Sequence, residues 1–444
     1  MHEICGDRLK GRRCRTDADV VEARADARTT LLLLAVATAA MLALTLLSPL
    51  GTDYAADTRP AIEALLAGDL AAFTAHQPSM GPLSLWLRWP FAEIVHLAGG
   101  GDLAVYRAGA FACLLVPALL IAVLGRAMAS AGARPAAAVL AVSLLALNPV
   151  TYRALALGHP EEPLAAALCV AAVLLACARR HREAGLAVGL AVATKQWALL
   201  AVLPVVLCVP RRRDVVVRLL LPAGIVTVAA YVPMLLADPA AFIDALRRPV
   251  GGLSAMRPVN VWHLTVTEAR TVPIGGGEFA RSQLVPDWLR TVAHPGVAVL
   301  AVAVSSACWR RLGAATLTVR GALLLVALIL LLRCWLDPWN HGYYHLPMLL
   351  ALGAYEVLDR RRAPVLAASG GALVWLLFAH LAGPYSGAFA DLLYLAWAIP
   401  LTAWLALAVR READAATITG WTRRAPGTLT PIRDPSPAPT RSAA

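Results

Sequence analysis

The chain has 444 residues, 59% of them hydrophobic and 15% charged, with a formal net charge of +12 and a mean hydropathy of +0.65. A soluble domain is roughly 45–50% apolar and about 25% charged. The composition therefore excludes a soluble enzyme, a disordered tail protein and a disulfide-stapled secreted domain, and points to an all-α, polytopic transmembrane helical bundle.

Residues 1–28 are polar and arginine-rich and read as a disordered cytoplasmic lead-in. The first span that follows is too long and too internally placed for a removable signal peptide. Stretches long enough to cross a bilayer, roughly 17–25 residues each, are expected near 30–50, 105–127, 136–150, 162–178, 214–236, 295–309, 319–335, 342–356, 364–383 and 392–409. The stretch 184–209 has basic clusters at both ends and Lys195 near its middle, so it reads as a tight hairpin of two short helices. This gives about twelve spans within 29–410, with larger extracytoplasmic loops at 51–104 and 237–293. Residues 411–444, rich in Pro, Thr, Ser and Arg, read as a disordered cytoplasmic tail.

Charge sets the expected sidedness. With the N-terminus inside, about 28 of the 40 Lys and Arg fall inside and about 12 outside, while the 28 acids divide as about 13 and about 15, so the net charge is about +15 inside against about −3 outside. The clusters Arg179-Arg180-His181-Arg182, Arg211-Arg212-Arg213 and Arg360-Arg361-Arg362 all fall inside. The basic excess is thus a topology signal at a plasma membrane, with both termini cytoplasmic, rather than a nucleic-acid surface. The only lysines are Lys10 and Lys195, and the second was retained within an apolar stretch. The eight cysteines form no CxxC and no metal-type spacing, so neither structural disulfides nor a metal site is expected.

The polar residues gather at the outer ends of the spans. Gly51-Thr52-Asp53-Tyr54-Ala55-Ala56-Asp57 follows the first span, and its two carboxylates, four residues apart, would share a helix face. A carboxylate at the membrane edge suits a general base. Pro60 to Gly68 reads as a short surface helix, and the Trp-rich run 81–90 as an interfacial one. Tyr152-Arg153 and Gly158-His159-Pro160-Glu161-Glu162 form an outer turn: Arg153 and His159 suit an anion, Glu161 and Glu162 hydroxyls or a cation. Gly185-Leu186-Ala187-Val188-Gly189 leads up to Lys195-Gln196-Trp197, whose ammonium suits a lipid phosphate at the outer interface. Arg257 to His263, including Asn260, and Asp337 to Pro347, including His341 and Tyr344, combine amide, imidazole and aromatic groups as sugar sites do.

Together these segments resemble the GT-C class of integral membrane glycosyltransferases, and within it glycosyltransferase family 87, the polyprenyl-phosphate-mannose-dependent mannosyltransferases. The similarity covers roughly residues 30–400: an Asp after the first span with a "LLAG" helix, "GHPEEPL", "GLAVGLAVATKQW" and "DPWNHGYYHLP". Where the family often has Tyr-Pro-Pro, this chain has Gln77-Pro78-Ser79-Met80-Gly81-Pro82, and a second acid stands at Asp57. The resemblance implies inverting transfer of a sugar, mannose by family default, from a polyprenyl-phosphate donor to a cell-envelope acceptor (glycolipid, polysaccharide or protein) outside the cytoplasm. It implies no obligatory cofactor or divalent metal. It assigns the base to Asp53, with Asp57 as the alternate; Lys195, Arg153 and His159 to the donor phosphate; and Glu161, Glu162, Asn260, His341 and Tyr344 to sugar or acceptor. The alternatives are a transporter or flippase of a lipid or sugar and a catalytically silent scaffold of a cell-envelope assembly.

Overall fold

The computed structural model describes residues 17–76, 81–247, 256–266, 269–275, 278–360, 362–382 and 387–422. Helix α1 (Asp17–Leu47) passes through Ser48 into a π-helical turn over Tyr54–Thr58. Three short helices follow, α2 (Arg59–Leu66), α3 (Leu70–Ala75) and α4 (Leu83–Leu97). Then come α5 (Asp102–Ser130), α6 (Pro135–Ala146), α7 (Pro149–Leu157), α8 (Glu161–Cys177) and α9 (His181–Thr194). After Lys195 the chain forms a 3-10 segment, Gln196–Ala201, and α10 (Val202–Val206). Helix α11 (Arg212–Asp214) runs through a π-helical stretch into α12 (Leu221–Ala237), followed by α13 (Pro239–Arg247). Strands β1 (Ala269–Gly275) and β2 (Glu278–Gln283) pair antiparallel, Ala269 opposite Gln283. The remainder is α14 (Asp287–Leu312), α15 (Val319–Leu336), α16 (Leu346–Arg360), α17 (Val365–Leu376) and α18 (Gly387–Thr422).

Among the described residues, seven helices are long and apolar enough to cross a membrane, and shorter apolar helices span Gln196–Val206 and Val365–Leu381. The protein is a multi-pass, helical membrane protein. Its centre is α15, buried along nearly its whole length from Gly321 to Cys334, against α16 and α18. Helix α12 instead exposes Leu221, Ile225, Val228 and Leu236, as a lipid-facing helix does.

Two expectations are amended. Helix α1 starts at Asp17 and α18 continues to Thr422, so helix enters both segments read as disordered; 1–16 and 423–444 lie outside the described residues, as do Gln77 to Met80. The segment 51–104, expected as an outer loop with two short helices, is helical over most of its length, including Arg59–Leu66 and Leu83–Leu97. The fold is helical as expected, and the segment 237–293 adds one two-stranded hairpin to it, β1 ending at Gly275 and β2 beginning at Glu278.

Two local features place the chemistry. Helix α7 starts on Asn148, whose side chain accepts from the Val150 amide, with Pro149 at the first helical position, and stops at Gly158 in the left-handed region, φ +102. A methyl group at Gly158 would lie 2.5 Å from the Tyr54 amide nitrogen, and one at Gly51 would lie 2.5 Å from the Leu157 carbonyl carbon. Only backbones without side chains allow the post-α1 turn and the end of α7 to touch in this way. On α9, Gly185 and Gly189 lie against the backbones of Leu219 and Ala223, a small-residue seam that lets the two helices approach closely. The seam ends near Lys195, where the backbone turns extended and the helix breaks. The tip at Lys195 reaches the start of α8, while the far end of the returning segment is tied by the Leu317 amide to the Leu207 carbonyl.

Candidate active site

Glu161 is the hub. It opens α8 fully buried and receives three cations: Arg88 from α4, Lys195 Nζ at 3.1 Å from the hairpin tip, and His159 Nδ1 at 2.8 Å from the turn. Glu162 receives Lys195 Nζ at 3.2 Å and Trp197 Nε1 at 3.0 Å. The other imidazole nitrogen, His159 Nε2, lies 3.1 Å from Asp53 Oδ2. Residues from the first loop, the α7–α8 turn, α4 and the hairpin therefore form one chain of contacts, Asp53–His159–Glu161–Lys195–Glu162. A carboxylate accepts up to four hydrogen bonds, which is why a single buried Glu can hold three cations. Leaving any of them unpaired in this setting is costly.

The network fixes protonation states. An imidazole whose two nitrogens both face carboxylates donates from both, which requires the cation. Burial works against that charge on His159, but the Glu161 carboxylate and the hydrogen bonds to Asp53 and Glu161 outweigh it, and the group is raised above its ordinary 6.5. In return the hydrogen bond from His159 lowers Asp53 below its ordinary 3.8, against partial burial. Asp53 keeps its side chain 34% exposed, so an ionised carboxylate reaches the open side of the network. Asp57 does not share that position. The intervening backbone is π-helical and leaves Asp57 exposed, without a hydrogen bond or ion pair among the described residues. Its carboxyl is raised, by partial loss of water first and by the Asp53 charge second. The two acids thus do not act as a matched pair on one face.

An aromatic wall closes the other side. The Tyr343 ring packs on His159, centroids 4.5 Å apart, and on His341, 5.1 Å apart at 23°. Burial, with the Arg257 and His159 charges acting in the same sense, pushes His341 down to about 3, so it is neutral. Tyr344 lies beside His341, and the Arg333 guanidinium sits 4.1 Å from the centre of its ring and 5.6 Å from that of Trp197.

Two assignments are corrected. Asn260 is not open to a sugar. Its amide donates to the Arg257 and Pro338 carbonyls, and its oxygen accepts from the Trp262 and His263 amides, so its hydrogen-bonding capacity is filled by backbone. It is part of a clasp: Asp391 on α18 accepts from the Val259 amide and pairs with His263, both at 2.6 Å, and Asn340 donates to the Val259 carbonyl. The clasp holds Val259 at φ +68, an uncommon conformation for a β-branched residue, over the 335–340 turn. His159, read as a phosphate donor, has both nitrogens engaged by carboxylates and acts as the bridge between Asp53 and Glu161. Arg153 lies half-buried on α7 and makes no hydrogen bond or ion pair among the described residues, so nothing draws it into the network.

Arg88, Arg333, Trp197 and Tyr343 were not assigned roles from the sequence. The signal for the two arginines was present: each is a lone cation inside an apolar run, and such residues mark functional interiors. Among the described residues no cluster of three or more His, Cys, Asp and Glu is arranged to hold a metal ion.

A family model described as glycosyltransferase family 87 matches residues 80–334, more than half of the chain. The match takes in Arg88, His159, Glu161, Glu162, Lys195 and Arg333 and stops short of Asp53 and His341. No curated protein matches the chain.

Proposed function

The chain belongs to glycosyltransferase family 87, and on that footing we propose that it transfers a sugar from a polyprenyl-phosphate donor to an acceptor hydroxyl at the extracytoplasmic face, with inversion and with Asp53 as general base. Membership of a glycosyltransferase family makes the chain an enzyme and favours that reading over the carrier alternative. The observation that supports the site is Asp53 itself, an ionised, solvent-reaching carboxylate at the open end of a buried charged network.

In this reading the acceptor oxygen forms a bond to the anomeric carbon as the bond from that carbon to the phosphate oxygen breaks. Asp53 takes the acceptor proton, and the lipid phosphate leaves with the electron pair. His159 holds Asp53 ionised and oriented. The charge developing on the leaving phosphate calls for preorganised cations, and Lys195 at the hairpin tip supplies one. Phosphate is already a good leaving group, so a metal is not obligatory. His341, Tyr343 and Tyr344 offer the flat, partly polar surface against which a sugar ring packs. Mannose is the family default for the sugar. A glycolipid, a polysaccharide or a protein each presents a suitable hydroxyl.

The topology proposed with it has twelve crossings and both termini cytoplasmic. The count takes the seven long helices together with α8, α9, the segment after Lys195, α16 and α17. The charge partition of the loops supports the orientation. Membranes from an overexpressing strain, supplied with radiolabelled polyprenyl-phosphate sugars, test the activity. Label transfer that disappears with Asp53→Asn is expected, and transfer by neither protein would overturn the reading. Cysteine labelling of intact cells at the exposed positions 57, 69 and 99 tests the orientation, and labelling from the cytoplasmic side alone would reverse it.

A further inference from the structure

We propose that Arg333 is a second cation, beside Lys195, that receives the phosphate of the lipid-linked ligand, a role no sequence motif assigned to it; the inference rests on the polyprenyl-phosphate reading above. The other buried cations of the site already have an anion. Lys195 is held by Glu161 and Glu162, His159 by Asp53 and Glu161, and Arg88 by Glu161. Arg333 stands in the last turn of α15 and is only 9% exposed, and its side chain forms no ion pair or hydrogen bond among the described residues. Its Nη1 is buried without a partner.

A guanidinium kept out of water with open donors is among the most unfavourable groups a membrane protein can carry. Such a group is retained where an anion completes it. The faces of Tyr344 and Trp197 hold the planar fork by cation–π contact and leave its edge, where the N–H groups are, for the ligand. The fork matches two phosphate oxygens. Position agrees with the role, because Trp197 follows the Lys195 tip and bonds Glu162, while Tyr344 borders His341 and Tyr343. Arg333 is thus joined to the Asp53 network by ring contacts and by the charges of Glu162 and Asp337 acting at a distance, and among the described residues no carboxylate pairs with its guanidinium directly.

A phosphate at this depth has two sources, the polyprenyl-phosphate ligand and an ordinary anionic phospholipid. Thermal unfolding of the detergent-solubilised full chain separates them, with decaprenyl phosphate, decaprenol and phosphatidylglycerol as probes. The wild type is expected to be stabilised by decaprenyl phosphate well beyond decaprenol and phosphatidylglycerol. Arg333→Gln should weaken the apparent affinity for decaprenyl phosphate roughly 10- to 100-fold, the usual loss of a charge-assisted hydrogen bond. It should leave the ligand-free midpoint unchanged or raised, since an unpaired buried charge is removed. Arg333→Lys should bind with intermediate affinity. If Arg333→Gln lowers the ligand-free midpoint and keeps the full phosphate-dependent shift, Arg333 is structural and the inference is overturned while the donor reading stands. If the wild type fails to distinguish decaprenyl phosphate from decaprenol, the donor reading fails and takes the inference with it. If phosphatidylglycerol stabilises as strongly as decaprenyl phosphate, the site belongs to a bulk lipid and the inference is overturned.

Discussion

His159 Nε2 lies 3.1 Å from Asp53 Oδ2, across a sequence separation of 106 residues, and each group sets the charge of the other. The imidazolium holds the carboxylate ionised, and the carboxylate helps hold the imidazolium protonated. Neither residue alone would have that state so close to the membrane edge.

Removing the carboxylate charge at constant shape isolates its chemistry. Asp53→Asn is expected to lower kcat by roughly 10²- to 10⁴-fold, the usual range for a general base, with little change in donor affinity. Asp57→Asn should stay within about threefold of wild type, because Asp57 is exposed and outside the network. Steady-state kinetics in detergent micelles checks both, and an inactive Asp57→Asn beside an active Asp53→Asn would move the base along the chain.

The pair also has a pH signature. Asp53 is lowered from 3.8, so its contribution to stability is present above 3.8 and is lost as the pH falls through the lowered value. His159 is raised from 6.5, so its contribution is present below 6.5 and is lost as the pH rises through the raised value. The difference in thermal midpoint between wild type and His159→Gln should therefore be largest between pH 3.8 and 6.5 and shrink on both sides. In the same variant the acid limb of kcat/KM should move to higher pH, since Asp53 loses the hydrogen bond that lowers it.

Glu161 carries structure before chemistry. Glu161→Gln strands part of the charge of Arg88, Lys195 and His159 in a buried site. A loss of about 3–5 kcal/mol is expected, as for breaking other buried ion pairs. Chemical denaturation in mixed micelles would measure it. The double variant Glu161→Gln/Arg88→Gln should recover part of the loss, and full additivity of the two changes would contradict the shared-hub geometry.

Gly158→Ala tests the scaffold without touching a charge. The backbone there is at φ +102 and a methyl group would press on the Tyr54 amide, 2.5 Å away. Strain of this kind costs about 1–3 kcal/mol. Because Tyr54 follows Asp53 directly, kcat should fall together with stability. A variant that melts early yet turns over normally would show that the contact does not position Asp53.

Much of this site was legible before any coordinates. Asp53, His159, Glu161, Glu162 and Lys195 are ionisable residues at the edges of apolar runs, where charge is expensive and seldom accidental. Their convergence follows from the hairpin reading of 184–209, which puts Lys195 level with the α7–α8 turn. What the sequence hid were partners defined by distance. Arg88 looked like one polar residue in an interfacial Trp-rich run, and only the packing of α4 turns it toward Glu161. Arg333 lay inside a run that reads as plain membrane span. Asn260 looked like a sugar ligand because amides often are; the Pro338 carbonyl that claims one of its protons lies 78 residues further on. The π-helical turn at Tyr54–Thr58 separated two acids that an ordinary helix would have set on one face.

The glycine seam between α9 and α12 gives the enzyme a remote vulnerability. Gly185 stands about 15 Å along the helix from Lys195, at 1.5 Å per residue, yet its lack of a side chain fixes how α9 leans on α12. A bulkier residue there would act as a wedge, and the helix above it as a lever arm whose free end is the ammonium. Displacements of about 1 Å are enough to cost a preorganised site much of its rate. Inheritable changes deep in the apolar body, far from any sugar or phosphate, would then present as defects in turnover rather than in folding.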